Sequence, residues 1–427
     1  MARGDRVAEN NNQTIENSNP LIVFAALCVT FTIALVFRTS TAVIFDDLMR
    51  DFAVPAASLG LMSSAYFIAY ASAQIPIGIL ADRIGVTKTV FFFGFLGFVG
   101  VVLFSFSTNI QVAALGRFLT GVGTAGFWIP TLKYLTINFK ADRFATMASI
   151  MNGFGCFGLL LATLPMALLA ASIGWRQAFL FTAMLFLALL IMTRLLLKKN
   201  SAAYSPQQPQ PRQPLDFSYL KHKYYWRFLL WSFLDYGVLL GFVGLLGATY
   251  LQDIFFLDQK VAGNVLLYAT LGMIIGGVLW GVVSDRVFKA RRPVIILGSL
   301  GGLMIWTIIL RISFYPGLPS LKVLYFFMGF CAAAFLINQG CVKELLPSKI
   351  SATAMGTVNA AMFFGVAVYQ SVTGYMLDYF SNSTGSMLAA YKAIFSLYLV
   401  SMFLALLLTL IMPETFPRQQ AEKFNSR

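Results

Sequence analysis

Residues 78–88 of this chain read Gly-Ile-Leu-Ala-Asp-Arg-Ile-Gly-Val-Thr-Lys, and residues 281–289 read Gly-Val-Val-Ser-Asp-Arg-Val-Phe-Lys. Both stretches contain Gly-x-x-x-Asp-Arg followed by a cation, and both lie between two long apolar segments. A short polar turn that is repeated between apolar hairpins predicts that one bundle of membrane-spanning helices was duplicated within the chain.

The composition is that of a membrane protein. Of the 427 residues, 58% are hydrophobic and 11% are charged, and the mean hydropathy is +0.76. A soluble chain carries about 25% charged residues. The formal net charge is +14, but the Lys and Arg residues lie in short loops between apolar segments and form no basic face. The sequence therefore indicates no nucleic-acid partner.

Segments of about 20 apolar residues are long enough to cross a bilayer as helices. The chain contains twelve of them, spans 1–12, at 20–44, 57–80, 87–108, 111–138, 146–171, 175–197, 224–250, 261–283, 293–313, 320–342, 352–377 and 389–412. They predict an all-α membrane protein with two pseudo-symmetric six-helix bundles, at 20–197 and 223–412. Residues 198–222 hold four prolines among glutamines and serines, which is typical of an extended linker. Residues 1–19 and 413–427 are polar tails.

The distribution of Lys and Arg predicts the orientation of the chain. Many of them lie on the same side as the N-terminus, for example Arg83, Lys140 and Arg291, whereas few lie in the opposite loops. Cytoplasmic loops carry an excess of Lys and Arg, so we expect both termini and the linker in the cytoplasm. We expect a monomeric, multi-pass protein of the bacterial inner membrane, surrounded by the lipid bilayer.

The two sets of six spans, the linker and the doubled loop resemble the major facilitator superfamily over essentially the whole chain. The resemblance implies secondary transport by alternating access, with the solute held between the halves. It also implies a conformational latch that helps to stabilise the outward-facing state, formed by Gly78, Asp82, Arg83, Gly85, Asp285 and Arg286. The first loop departs from the family pattern at Val86 and Thr87, where cations are usual, which predicts a weaker latch.

Charged residues inside a membrane are costly, so each one in a span is a candidate functional residue. Arg38 lies late in span 1, and its planar guanidinium suits a carboxylate or a phosphate. Its position resembles that of the substrate-binding Arg of organic-anion carriers in the superfamily. The alternative is a structural role, in which Arg38 extends to the membrane interface or pairs with Asp46.

Arg117 is the second candidate, and it begins the segment Arg-Phe-Leu-Thr-Gly-Val-Gly-Thr-Ala-Gly in span 4. The glycines allow close helix approach, so we expect Arg117 to point into the bundle. The segment resembles the Arg-x-x-x-Gly element of superfamily symporters and antiporters, which implies substrate binding or coupling. The alternative is that Arg117 only joins spans 1 and 4. Leu132-Lys133 and Gly174-Trp175-Arg176 resemble sequences of proteobacterial intraphagosomal amino-acid transporters.

Asp235 is the carboxylate that lies deepest in a predicted span. A carboxylate in a low-dielectric interior resists ionisation unless it is paired, which suits a group that takes up and releases protons. Asp235 is therefore the candidate proton-coupling residue. The alternatives are a constant ion pair with an Arg of the bundle, or hydrogen bonds to Tyr236 or Tyr250. Superfamily anion symporters usually carry their proton-sensing acids in spans 1 and 4, where this chain has Phe37 and Thr124.

Neutral polar residues complete the set of candidate substrate-binding residues. Tyr66, Tyr70 and Gln74 follow one another at intervals of four, so they share one face of span 2. The others are Asn152 in span 5, Asn338 in span 10 and Asn359 in span 11. Each of these residues can instead form hydrogen bonds between helices.

The sequence offers little for catalysis or for metal binding. His222 is the only histidine, and the four cysteines include no Cys-x-x-Cys. We expect no metal ion and no cofactor. No nucleophile, base and orienting group share a segment outside the membrane, so we do not expect an enzyme.

The function that the residues favour is proton-coupled import of a small anionic or zwitterionic organic solute, a carboxylate or an amino acid. The small solute and protons are the expected partners. The alternative is a proton-antiport exporter of drugs or siderophores, although span 5 lacks the Gly-Pro-rich element of superfamily antiporters. A receptor-like or structural membrane protein that does not transport is a third interpretation, which the charges retained in the spans disfavour.

Overall fold

The computed structural model describes residues 19–139, 141–201, 218–346 and 348–416. These residues form helices joined by short turns and include no strand. The predicted tails at 1–19 and 413–427 and the linker at 198–222 lie largely outside the described residues, so the domain boundaries there stay predictions.

The first half contains nine α-helices in the described residues. They are α1 (Pro20–Thr39), α2 (Phe45–Phe52), α3 (Ala56–Ile84), α4 (Val86–Ser105), α5 (Ile110–Ala125), α6 (Trp128–Asn138), α7 (Ala141–Leu161), α8 (Leu164–Ile173) and α9 (Trp175–Ser201). A 3₁₀ helix at Ser40–Ile44 joins α1 to α2.

The second half contains eight α-helices in the described residues. They are α10 (Tyr225–Gly241), α11 (Gly247–Phe255), α12 (Gln259–Val282), α13 (Arg292–Arg311), α14 (Leu318–Ala332), α15 (Phe335–Leu345), α16 (Ser348–Thr384) and α17 (Met387–Ile411). π-helical turns at Phe242–Leu246 and Val283–Phe288 follow α10 and α12, and a 3₁₀ turn at Ser218–Lys221 precedes α10.

Eleven helical segments in the described part of the chain are long and apolar enough to cross a membrane. They coincide with eleven of the twelve predicted spans. The remaining span, 57–80, forms α3, which at 29 residues is also long enough to cross. This helix buries polar side chains, including Ser63 and Gln74. Large apolar side chains cover the surface of the helices, among them Leu61, Phe92, Leu195, Val278 and Val400, as in a multi-pass membrane protein.

The two halves share an irregularity in their fourth spans, which supports the predicted duplication. Span 4 is interrupted at Gly126 and Phe127, between α5 and α6, and span 10 is interrupted at Ala333 and Ala334, between α14 and α15. Spans 4 and 10 hold the same place in their sets of six. Broken helices at corresponding positions of two halves are typical of transporters, and their free backbone groups need partners from neighbouring helices.

The repeated loops distinguish the two ends of the molecule. We call the end that carries residues 78–88 and 281–289 the motif end, and the end that carries the turns before α3 and α12 the distal end. The halves are in contact at the distal end, where α3 packs along α16 and α8 packs against α12. A Cβ on Gly60 would collide with the carbonyl oxygen of Gln370, so glycine is required for the approach of α3 to α16.

A carboxylate from the second half caps a helix of the first half at the distal end. Asp378 of α16 accepts hydrogen bonds from the backbone N–H of Ala56 at 3.0 Å and of Ala57 at 2.6 Å. The residue before α3 is Pro55, whose side chain does not cap the helix. The first N–H groups of a helix have no partner within it, and negative charge there is stabilising. Asp378 therefore holds the two halves together.

The corresponding helix of the second half is capped from within. α12 is the second span of its set, as α3 is of the first set. Its N-cap is Asp258, whose carboxylate accepts a hydrogen bond from the N–H of Lys260 at 3.1 Å. The side chain of Gln259 reaches across to Asp47 of the first half at 3.2 Å. Asp258 thus caps α12 with a carboxylate, as Asp378 caps α3, but the carboxylate and the helix that it caps both belong to the second half.

We expect Asp378→Ala to open the distal end, because it removes two hydrogen bonds to a charged group, each worth about 1.5–3 kcal/mol. Thr108 and Ser383 are exposed on different halves at this end. With the native cysteines replaced, spin labels are placed at these two positions. The distance between them, measured by double electron–electron resonance, should be longer in Asp378→Ala than in the protein that keeps Asp378. Asp258→Ala is the matched control, because it removes a helix cap without breaking a contact between the halves. Equal distances in the two variants would contradict the role of Asp378.

Candidate functional site

Arg38 lies in the last turn of α1 and is buried between the halves. The residue is 5% exposed. Its guanidinium carbon lies 4.6 Å from the centre of the Tyr70 ring on α3 and 4.7 Å from the centre of the Phe363 ring on α16. Rings at these distances attract a cation through their π-faces. Because the two rings belong to different halves, Arg38 occupies the interface that alternating access would open and close.

Further aromatic rings lie beside this guanidinium or pack against rings that do. The ring of Tyr236 on α10 lies 4.9 Å from that of Phe335 and 5.8 Å from that of Phe363, measured between ring centres. Tyr66, one turn from Tyr70 on α3, stacks on Tyr70 at 6.2 Å. The hydroxyls of Tyr70 and Tyr236 lie beside the guanidinium. We call these five rings the aromatic cage.

Arg38 has no carboxylate partner among the described residues. No acidic oxygen in that part of the chain lies within 4.0 Å of its nitrogens, and its Nε has no hydrogen-bond partner. The predicted alternative, a pair with Asp46, is not formed, and the neighbouring Asp47 pairs with Arg50 at 2.6 Å. A buried charge without a partner is costly. The arrangement therefore suits an anion that enters between the halves and pairs with Arg38.

Arg117 on α5 is also buried, but it is bound to the backbone. Its Nη1 donates to the carbonyl oxygen of Phe37 at 2.5 Å, and its Nη2 donates to that of Arg38 at 3.3 Å. These carbonyls lie at the end of α1, where the α-helical hydrogen bonds stop. The guanidinium also lies 4.5 Å from the centre of the Tyr66 ring. This is the geometry of a residue that joins spans 1 and 4, and it holds the backbone that carries Arg38.

The side chains predicted to share one face of span 2 lie beside the two arginines. The Tyr66 hydroxyl hydrogen-bonds to that of Thr124 at 2.7 Å. Gln74 is 2% exposed, and its side chain lies beside the hydroxyl of Tyr70. A Cβ on Gly121 would collide with the carbonyl of Tyr66, so the predicted packing role of this span 4 glycine is confirmed.

The side chain of Asp235 points away from that of its neighbour Tyr236 and into the interior of the second half. It is 1% exposed, and neither carboxylate oxygen has a hydrogen-bond partner. It lines a small cavity with Leu239, Gly302, Ile305, Trp306, Met328, Ala332 and Met402. The predicted alternatives, an ion pair with Arg or hydrogen bonds to Tyr236 or Tyr250, are not formed among the described residues. An ionised carboxylate without a partner is very costly in such surroundings, so the neutral form is favoured.

The predicted asparagines are dispersed. Asn338 on α15 donates to the carbonyl of Phe228 at 3.0 Å and to the hydroxyl of Ser232 at 2.7 Å, so it joins α15 to α10 within the second half. Asn152 on α7 and Asn359 on α16 are half-buried. Neither side chain makes a hydrogen bond to a described residue of the aromatic cage, although Asn359 lies one turn before Phe363 on α16.

A cavity lies between the halves, where the sequence predicted that the solute is held, but none of the residues that line it was predicted. Its lining comes from both halves: Thr39, Leu159, Ala162, Thr163, Leu239, Leu240, Val243, Leu266, Ala269, Thr270 and Met273. We call it the interface cavity. It lies beside the aromatic cage, because Thr39 follows Arg38 directly and Leu240 packs in the same cluster as Tyr236. The two phenylalanines of the cage were also missed, since the chain contains 41 Phe residues and a single ring has no distinctive spacing.

The match to a family model decides the relationship of this chain to known proteins. The model described as Major Facilitator Superfamily matches residues 25–257 and 228–426. The chain belongs to the Major Facilitator Superfamily. It is therefore a multi-pass membrane protein and a secondary transporter of a small organic solute, and it is not an enzyme.

Relatives in this superfamily span most of the chain. A probable sulfoacetate transporter of Cupriavidus necator is 24% identical over 385 residues, which are 86% of this chain and 88% of the relative. A gentisate transporter of Corynebacterium glutamicum is 23% identical over 391 residues, which are 87% of this chain and 86% of the relative. The crystal structure of a bacterial homologue of the human lysosomal transporter Spinster, inward-facing and occupied, has a TM-score of 0.75 at 16% identity and covers 92% of this chain and 97% of that chain. The similarity to this crystal structure shows the fold that the superfamily shares.

The first repeated loop is described only in part. Gly85 ends α3 with a φ of +84°, a backbone conformation that glycine adopts readily and other residues avoid. Gly78 is half-buried and Arg83 is exposed. The side chain of Asp82 lies outside the described part of the structure. The latch role that the superfamily resemblance implies for these residues stays a prediction.

The second repeated loop is tied to its own half. Asp285 pairs with Arg291, which also binds Glu344 of α15 at 2.9 Å. Glu414 accepts hydrogen bonds from the backbone N–H of Arg291 at 2.8 Å and so caps the start of α13. Arg286 is exposed. In the described state the acid of this loop is therefore held by Arg291, a residue that the motif itself does not include.

The residues that resemble amino-acid transporters lie at the two ends of the first half. At the distal end, Trp175 donates to Asp51 at 2.9 Å, and Arg176 pairs with the same carboxylate. At the motif end, Lys133 donates to the carbonyl of Ala81 at 2.8 Å. These contacts hold helices together at positions away from the aromatic cage, so this part of the resemblance carries no information about the solute.

Arg117→Met and Arg38→Met should differ in thermal stability. Arg117→Met leaves the carbonyls of Phe37 and Arg38 without a donor, and hydrogen bonds to charged groups are worth about 1.5–3 kcal/mol each. We expect its unfolding temperature in detergent to fall. Arg38→Met loses contacts with the rings of Tyr70 and Phe363 but breaks no hydrogen bond to the backbone and removes a buried charge without an acidic partner, so its unfolding temperature should fall less than that of Arg117→Met. An equal loss of stability in both variants would show that Arg38 is also a structural residue.

Proposed function

We propose that this transporter imports a small organic solute that carries a carboxylate, either an anion or a zwitterion, by alternating access with coupling to protons. The observation that carries the proposal is Arg38, whose buried guanidinium has no acidic partner among the described residues. When a solute enters between the halves, this guanidinium can bind its carboxylate through two parallel hydrogen bonds. Sulfoacetate and gentisate, the solutes named for the two relatives, are organic anions, which supports an anionic solute.

The proposed orientation has the motif end and both termini in the cytoplasm of a bacterium, with the helices in the inner membrane. The cations Arg83, Lys289, Arg291 and Arg292 lie at the motif end, in agreement with the excess of positive charge in cytoplasmic loops. The contacts made by Asp378 would then close the external entrance. A monomer is sufficient for transport, because one chain supplies both sides of the aromatic cage.

Asp235 is the proposed proton-coupling residue. A neutral carboxyl is tolerated in its apolar cavity, whereas a carboxylate requires water or a partner, so the two protonation states favour different packing around α10. Tyr236, the next residue on the same helix, belongs to the aromatic cage. The π-helical turn at Phe242–Leu246 follows α10, and turns of this kind are frequent at functional sites. A change in packing around Asp235 can therefore move Tyr236, and with it the solute site, through α10 alone.

Arg38→Lys should weaken solute binding although it keeps the positive charge. Lysine lacks the planar fork that holds both carboxylate oxygens, and the loss of one charge-assisted hydrogen bond weakens affinity by about tenfold or more. The measurement is the concentration dependence of labelled solute uptake into liposomes. Arg50→Lys, which changes an exposed arginine at the distal end, is the control and should transport normally. Unchanged affinity in Arg38→Lys would exclude Arg38 from the binding site.

Asp235→Asn should abolish accumulation of the solute driven by a pH gradient and leave solute exchange intact. The amide has the shape of the neutral carboxyl but cannot take up or release a proton. Both activities are measured in liposomes, with and without an imposed pH gradient. Asp253→Asn is the matched control, since Asp253 is a carboxylate on the following helix that already accepts a hydrogen bond from Tyr391 at 2.7 Å. Gradient-driven accumulation by Asp235→Asn would assign proton coupling to another residue.

A further inference from the structure

We infer that the solute is a monocarboxylate with an apolar, ring-containing body. The inference rests on the proposed transport of a carboxylate-bearing solute and narrows it. Three features of the region between the halves carry it. Among the described residues there, Arg38 is the cation whose guanidinium lies against rings of both halves, no acid is placed to receive an ammonium group, and the adjoining interface cavity has apolar walls.

Arg38 is the guanidinium that lies against rings of both halves. Arg117 directs Nη1 and Nη2 to the carbonyls of Phe37 and Arg38, which leaves only its Nε without a hydrogen-bond partner. Neither the aromatic cage nor the described lining of the interface cavity includes another Lys or Arg. One carboxylate is therefore neutralised by Arg38. A second carboxylate or a sulfonate on the same solute would be buried without a partner, which is costly.

The aromatic cage contains no acidic residue that could pair with a positively charged group. Asp235, the acid next to the cage residue Tyr236, faces the separate cavity inside the second half. The rings of Tyr70 and Phe363 could attract a cation, but they already hold the guanidinium of Arg38. An ammonium group beside this guanidinium would be repelled. Of the two solute classes expected from the sequence, the geometry favours the carboxylate over the amino acid.

The walls of the interface cavity suit a hydrocarbon body once the halves separate enough to admit one, because in the described state the cavity has room for little more than a water molecule. Leucine, valine, alanine and methionine side chains form most of its described lining, and its hydroxyls belong to Thr39, Thr163 and Thr270. The hydroxyl of Thr163 already donates to the carbonyl of Leu160 at 2.6 Å. A polyhydroxylated chain would lose hydrogen bonds to water there and regain few of them. An apolar body gains from burial, and a ring can also stack beside the rings of the cage.

A set of matched solutes tests each feature separately. Phenylpropionate is the reference. Phenylalanine adds an ammonium group to it, benzylmalonate adds a second carboxylate, phenylpropionamide removes the charge, and gluconate replaces the hydrocarbon with hydroxyls. The full-length protein in liposomes is given each labelled compound with a pH gradient in either direction, and each compound also competes against phenylpropionate. We expect every analogue to bind at least about tenfold more weakly than phenylpropionate.

The outcomes separate this inference from the proposed function. Better uptake of phenylpropionate than of all four analogues supports both. If phenylalanine, benzylmalonate or gluconate enters at least as well as phenylpropionate, the inference is overturned and transport of a carboxylate-bearing solute stands. If no carboxylate moves under a gradient in either direction, the proposed function fails, and the inference fails with it.

A pair of variants tests whether the cage recognises the ring. Phe363→Leu keeps an apolar side chain but removes a ring from the cage. We expect the preference for phenylpropionate over hexanoate, which has the same charge, to fall by about two- to tenfold. Phe364→Leu is the control, because Phe364 is the next residue of α16 and is 52% exposed. An unchanged preference in Phe363→Leu would overturn recognition of the ring.

Discussion

Backbone carbonyls cannot be left without partners inside a membrane, and the site is built on how this chain meets that constraint. The regular helix of span 1 ends at Thr39, and Arg117 supplies donors to the two carbonyls that precede this end. Two of its nitrogens donate there, to the backbone. Arg38 is held in place by the same contact, and its own guanidinium faces the aromatic cage. Two arginines that are both buried in spans thus have different contacts.

The charges proposed to bind the solute and the proton are kept apart. Arg38 lies between the halves, whereas Asp235 lies inside the second half, and neither bonds to the other. If they formed an ion pair, binding of an anion would require that pair to break. Their separation allows a solute and a proton to be bound together, with α10 as the physical connection. The aromatic cage completes this arrangement, because Tyr236 on α10 contacts rings contributed by α15 and α16.

The architecture could be predicted because apolar segments of spanning length and a doubled loop leave few alternatives. In the site, Arg38 could be predicted because a charge in a span is costly, and Tyr66 and Tyr70 because a spacing of four places them on one face. The direction of Asp235 could not, because neighbouring helix packing decides which face of α10 meets the other half. Phe363 was missed because phenylalanine suits a lipid-facing surface equally well. The role of Asp378 depends on a helix from the other half, which no local pattern reveals.

The helix that Asp378 caps also acts over distance. α3 continues through Pro76 without interruption for 29 residues, and at about 1.5 Å per residue it is roughly 43 Å long. It begins at the contact with Asp378, packs along α16 as far as the contact of Tyr70 with Phe363, and ends at the first repeated loop. If α3 tilts about the contact of Tyr70 with Phe363 so that its first turn moves away from Asp378, its last turn moves in the opposite direction. The proposed solute site lies close to this contact, where the displacement is smallest. The binding region can therefore keep its shape while both entrances move.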